Sequence, residues 1–212
     1  MKKNLFIILM ICLFHAVEAQ VEIPSKEVQI KSALLAAPEG TRDGAMVYGL
    51  NKAGEFVVLR EGTNNMICLA DDPNSPGFSV SCYPKDLEPF MERGRILKSE
   101  GKSFQEIFDL REEEVKSDQL KMPKDGTTLF VFFTKDEEAF NPETGEVVNG
   151  NFRYVVYIPY ATEENTGLPL SPEAPGMPWI MDPGTHRAHI MINPPAKNDD
   201  NYKKEDVRNG YR

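Results

Sequence analysis

The chain has 212 residues, with 33 Asp and Glu against 24 Lys and Arg, so its formal net charge is −9 at pH 7. An acidic balance with no basic cluster makes nucleic acid and anionic membrane surfaces poor partners, because both carry the same sign of charge. The chain also has no phosphate-binding loop, dinucleotide fingerprint, HExxH pair, twelve-residue calcium loop or internal repeat, which leaves those chemistries without sequence support.

The amino terminus reads as a signal peptide: Lys2 and Lys3, an apolar run over residues 5–14, then Val17, Glu18 and Ala19 ahead of Gln20. The run is too short to span a bilayer permanently, and Met10 and Ile11 are too bulky to precede a lipid-modified Cys12, so no membrane anchor is expected. Cleavage after Ala19 would remove Cys12, move the net charge from −9 to −10, and leave 193 residues with only Cys68 and Cys82. An even pair in an oxidising compartment reads as one disulfide in a periplasmic or secreted protein.

Residues 25–37 open on a capping Ser25 and place Ile30, Ala33, Leu34 and Ala37 at helical spacing, and the segment 38–40 ends that helix. Residues 43–50 and 55–60 read as a hairpin around 51–54; residues 66–69 extend its second strand or form a third. They lead into the stretch between Cys68 and Cys82, where Asp72-Pro73, Ser75 and Pro76-Gly77 are suited to reversing the chain. A bridge closing a loop of this size contributes about 3 kcal/mol in the chain-entropy model. Asp71 and Asp72 on that stapled loop are candidate ligand-binding or catalytic residues, with Asn64 as a further binding candidate. The alternative is that both aspartates cap the turn by accepting from backbone N–H groups.

Asp86 reads as the cap of a helix that Gly101 stops, with Leu87, Phe90, Met91 and Leu97 on one face. A capping box, Ser103 with Glu106, opens a second helix with Phe104, Ile107 and Phe108 inward and Glu112, Glu113 and Glu114 outward. Both helices are expected on one side of the sheet, with Arg93 and Arg95 in surface ion pairs or reaching an anion near the loop. The run 127–134 is the most apolar after the signal region and lacks alternation, as a central strand covered on both faces would. Residues 152–158 are its expected antiparallel neighbour. Pro169, Pro172, Pro175 and Pro178 recur every third residue, the period of polyproline II, so 160–178 is expected extended. Trp179 is expected in the core, residues 182–185 in a turn, and 186–192 in a last strand; residues 193–212 form a polar tail expected to be disordered.

His186 and His189 are the only histidines beyond the signal region. Their spacing would share a helix face, but on a strand it sends them to opposite faces, so no metal ligand set is assigned. His189 with Asp71 or Asp72 is chemically competent for general acid–base work or a mixed metal site. Gly77 to Ser81 lacks the second glycine of a nucleophile elbow, and a disulfide would deny Cys82 its thiolate.

Several runs occur together: Leu34 to Glu39, Leu59 to Asn64, Cys68 to Pro73, Leu87 to Met91, and Gly184-Thr185 with Ala188 to Ile192. With them the chain resembles a group of uncharacterised bacterial secreted proteins. The resemblance covers residues 33–192 and implies a bacterial, extracytoplasmic protein with Asp71, Asp72 and His189 inside the matching runs; it brings no activity, cofactor or partner. The expectation is one α+β domain over residues 20–192: a mainly antiparallel sheet of about six strands, helices packed on one face, and one disulfide. Two functions are in play. One is a non-enzymatic binding or interaction domain for a small molecule or protein, with the stapled loop and the proline-rich segment as its recognition surface. The other is a hydrolase using His189 with Asp71 or Asp72, with or without a metal.

Overall fold

The computed structural model describes residues 22–195; the segment read as a signal peptide, Cys12 within it, and the tail from 196 onward lie outside the described residues. Helix α1 (Lys26–Ala33) begins where Ser25 Oγ accepts from Val28 N, and it continues as one 3-10 turn, Leu34–Ala36. The hairpin forms from β1 (Met46–Leu50) and β2 (Phe56–Arg60). Strand β3 (Met66–Leu69) is separate from β2 and pairs parallel with β1.

The segment read as loop up to Cys82 is strand from Phe78 onward. β4 (Phe78–Pro84) runs antiparallel to β3, so the reversing turn is confined to residues 70–77. Next come a 3-10 turn Lys85–Leu87, α2 (Glu88–Ser99) with Leu87 rather than Asp86 at its cap, and α3 (Phe104–Lys116) with its Ser103/Glu106 capping box in place. β5 (Thr127–Thr134) pairs antiparallel with β6 (Asn151–Tyr157), as its apolar run predicts. A short α4 (Glu163–Thr166), absent from the sequence reading, precedes β7 (Trp179–Met181) and β8 (His189–Ile192).

The eight strands make one mostly antiparallel sheet, in the order β2-β1-β3-β4-β5-β6-β8-β7. The two strands beyond the expected six are β4 and β7. Side chains alternate across the pleat, and two apolar layers result. On one face Val47, Cys68, Phe78, Val80 and Cys82 pack with Ala33 and Ala36 of the first helical segment. On the other, Ile67, Leu129, Val155 and Met191 pack with Leu87, Phe90 and Val115. The two long helices α2 and α3 therefore share a face, as expected, and α1 covers the opposite one. Phe130 and Phe132 point toward α1 while Leu129 and Val131 point away, which is why β5 shows no alternation.

Cys68 and Cys82 form the disulfide, as directly opposed residues of β3 and β4 with a Cα–Cα separation of 4.1 Å. The proline-rich segment is not one polyproline II run. It bends over residues 170–176, Met177 N donates to Ala174 O in a turn, and Pro169 O accepts from Ile180 N in β7. No helix among the described residues is long and apolar enough to cross a membrane.

Candidate functional site

The turn between β3 and β4 holds both aspartates, and their acceptor oxygens are used locally. Asp71 Oδ1 accepts from Ser79 N at 2.7 Å; Asp72 Oδ1 accepts from Asn74 N and its side-chain amide at 3.1 Å. The turn-capping alternative is thus the arrangement present. The two carboxyls nonetheless differ. Partial burial, with no cation within 4 Å among the described residues, pushes Asp71 up to about 6. Burial acts in the same direction on Asp72, but the Asn74 bonds and Lys98, 3.5 Å away, outweigh it and hold that carboxyl below its usual range.

Asn64 is a structural clamp: its amide donates to Thr41 O at 2.7 Å and its Oδ1 accepts from Met66 N at 2.9 Å. Both ends of its side chain are thus engaged in joining Thr41 to the start of β3.

His189 lies on β8, and β3 is four strands away in the sheet, each spacing about 4.8 Å. The structure does not bring His189 together with Asp71 or Asp72. The imidazole is buried against Tyr157, its Nδ1 donates to Arg187 O at 2.6 Å, and its nearest carboxylate is Asp182 at 4.0 Å. Asp182 is itself held by Arg187 at 2.5 Å.

His186 occupies the turn before β8, yet it is fully buried between the rings of Phe90 and Phe108. Glu112, expected outward, instead turns in to it and is only 16% exposed: its Oε2 accepts from His186 Nδ1 at 2.5 Å and His186 N at 2.8 Å. An ionised carboxylate only accepts, so the proton sits on Nδ1; Nε2 is left bare and is buried without a partner. Desolvation drives both histidines below their ordinary pKa. Phe104, expected inward, is 67% exposed, and Arg187 lies over its ring. No group of three or more His, Cys, Asp or Glu side chains is arranged for a metal among the described residues.

Two concave features meet at the acidic turn: one of about 460 Å³ lies toward Glu22, Pro24 and Phe140, and the larger one lies on the other side of the turn from the disulfide layer. A groove of about 710 Å³ runs between the β1–β2 hairpin, α2 and residues 69–74. Tyr48 and Phe56 face one another diagonally across the hairpin, nearly parallel at 5.2 Å, and Arg95 lies over both rings. Arg95 is fixed from behind, donating to Glu88 Oε1 at 2.6 Å and to Tyr83 Oη at 2.9 Å, while Tyr83 Oη donates to Glu88 Oε2. Arg93 is likewise paired, to Glu114 at 2.6 Å. Asp71, Asp72, Glu92 and Lys98 rim the groove, and Ala70 and Ile96 complete its apolar wall.

The sequence reading found the two aspartates and missed Tyr48, Phe56 and Ile96. Phe56 and Ile96 are large apolar residues left 44% and 42% exposed, on elements with buried faces of their own. The available signal was the hairpin register, which sets Tyr48 beside Phe56 on one face. The proline-rich segment adjoins β7, the sheet edge opposite β2, so it and the acidic turn do not form one surface.

The fold and groove define the class: an α+β domain with a covered mixed sheet and an open groove lined by aromatic side chains. Compared with known proteins, the chain matches no family model, no curated protein and no solved structure.

Proposed function

We propose that this protein is a non-enzymatic binding domain working outside the cytoplasm, with the groove between α2, the β1–β2 hairpin and the Asp71–Asp72 turn as its ligand site. The observation that carries the reading is the coincidence, in one concavity of ligand-sized volume, of exposed apolar wall and a half-buried carboxyl with no cation within 4 Å among the described residues. Such sites bind by apolar contact and orient by a few polar groups. Neither imidazole lines the groove, so it has no histidine general base, and a binding role accounts for its residues better than hydrolysis does. The resemblance to secreted bacterial proteins, the apolar leader and the disulfide support the location.

A two-dimensional amide NMR screen of the mature chain against a set of small aromatic and aliphatic fragments tests this. Shifts confined to Tyr48–Leu50, Leu69–Asp72 and Glu92–Ser99, abolished by filling the wall with Ile96→Trp, are expected. Shifts centred on Asp182 and His189 would overturn the reading in favour of chemistry at the histidines.

A further inference from the structure

Resting on that groove as the ligand site, we infer that its ligand carries an organic cation, an ammonium or guanidinium group, on an apolar body, with the cation seated against Asp71. Charge complementarity leads there. The groove is rimmed by two cations and three anions, and both cations are already engaged: Arg95 with Glu88, and Lys98 with Asp72. Asp71 and Glu92 remain without a cation within 4 Å among the described residues, one on the turn and one on the facing helix.

Asp71 is fixed in place for such a role. Ser79 N–H engages Oδ1, and the backbone N–H of Asp72 also favours the ionised carboxyl, so the group is anchored by the turn's own backbone. Its partial desolvation is a cost that a ligand cation would relieve. The apolar body has its own surface in Tyr48, Phe56, Ala70 and Ile96. Against an anionic ligand, Arg95 is already neutralised by Glu88 and Lys98 is partly offset by Asp72. The acidic chain, at −9, adds a long-range field that draws cations in.

The Asp72 charge disfavours ionisation of Asp71, while the backbone N–H groups of Ser79 and Asp72 favour it; Glu92, Arg95 and Lys98 line the same groove from α2, and Glu22 lines the concavity on the other side of the turn. Cation affinity therefore rises with pH through about 6, as Asp71 becomes charged.

The probe is phenethylamine, with phenethyl alcohol as its neutral counterpart and hydrocinnamate as its anionic one, each titrated into the mature protein and followed by amide NMR. Near pH 7.5 the amine is expected to bind about tenfold tighter than the alcohol. Asp71→Asn, which keeps the acceptor for Ser79 N–H, should remove that difference between amine and alcohol. Glu92→Gln, on an exposed helix face, should weaken the amine alone. Equal binding of amine and alcohol, or a preference untouched by both variants, would overturn the cation inference while the groove stands. No shift at the groove with any of the three probes would overturn the groove itself as the ligand site.

Discussion

Glu112 holds His186 by two bonds at once, taking the ring proton on Nδ1 at 2.5 Å and the backbone N–H at 2.8 Å through the same oxygen. Lys116, one turn along α3, holds the other oxygen at 2.8 Å. A helix and a turn far apart in sequence are thereby pinned around a histidine with no exposed surface.

Removing that carboxylate strands two donors in the core. Glu112→Ala is expected to cost roughly 2–4 kcal/mol, and Glu112→Gln, which keeps an acceptor, less. Urea denaturation of the two variants beside wild type checks this. Equal stability of Glu112→Ala and wild type would mean the clasp contributes nothing.

Both histidines are held neutral by burial, so their folded pKa values lie below the unfolded value near 6.5. The unfolded chain then binds more protons in mild acid, and stability falls as pH drops from about 6.5 toward the folded pKa. A His186→Asn/His189→Asn variant should show a shallower loss of urea midpoint between about pH 6.5 and pH 5. An unchanged slope would rule the histidines out as its source.

Asp71 has the opposite sign. Its folded pKa, about 6, is above the unfolded 3.8, so its stabilising contribution is full below 3.8 and is lost as pH rises through 6. Asp71→Asn should match wild type near pH 4 and gain on it near pH 7.5. A stability difference that does not vary with pH would contradict the assignment.

The disulfide joins directly opposed residues whose strands are already paired by the sheet, and it closes only the 70–77 turn with its flanks. Cys68→Ala/Cys82→Ala is expected to lose about 3 kcal/mol while keeping its amide NMR pattern outside β3, β4 and α1. Global loss of that pattern would make the bridge a condition of folding.

Gly62 sits where β1 begins: a Cβ there would be 2.6 Å from Met46 N and 2.8 Å from Met46 Cβ. Because the obstacle includes backbone of a central layer, Gly62→Ala should destabilise by about 2 kcal/mol or more. A thermal melt within error of wild type would show that the loop yields without cost.

Local pattern carried much of the architecture. Ser25, and Ser103 with Glu106, mark helix starts because capping is satisfied within four residues, and the unalternated run of β5 reports a strand covered twice. Asp86 failed as a cap because a 3-10 turn intervenes and no side chain caps α2. β4 was hidden because Pro76-Gly77 and two serines masked the inward alternation of Phe78, Val80 and Cys82. For the site, the turn signals located Asp71 and Asp72, while Asn64 and His189 proved to be committed inside the fold.

By itself the sequence determined the α+β class, the pairing of Cys68 with Cys82, the long helices on one face, and the position of the acidic turn. Each follows from spacing and turn signals between near neighbours in the chain. The tertiary structure alone decided that His189 and the aspartates are strangers, that Glu112 turns inward to His186, and that Tyr48, Phe56, Asp71 and Ile96 share a groove. Those relations depend on strand order and helix placement, which join residues distant along the chain and which no local periodicity encodes.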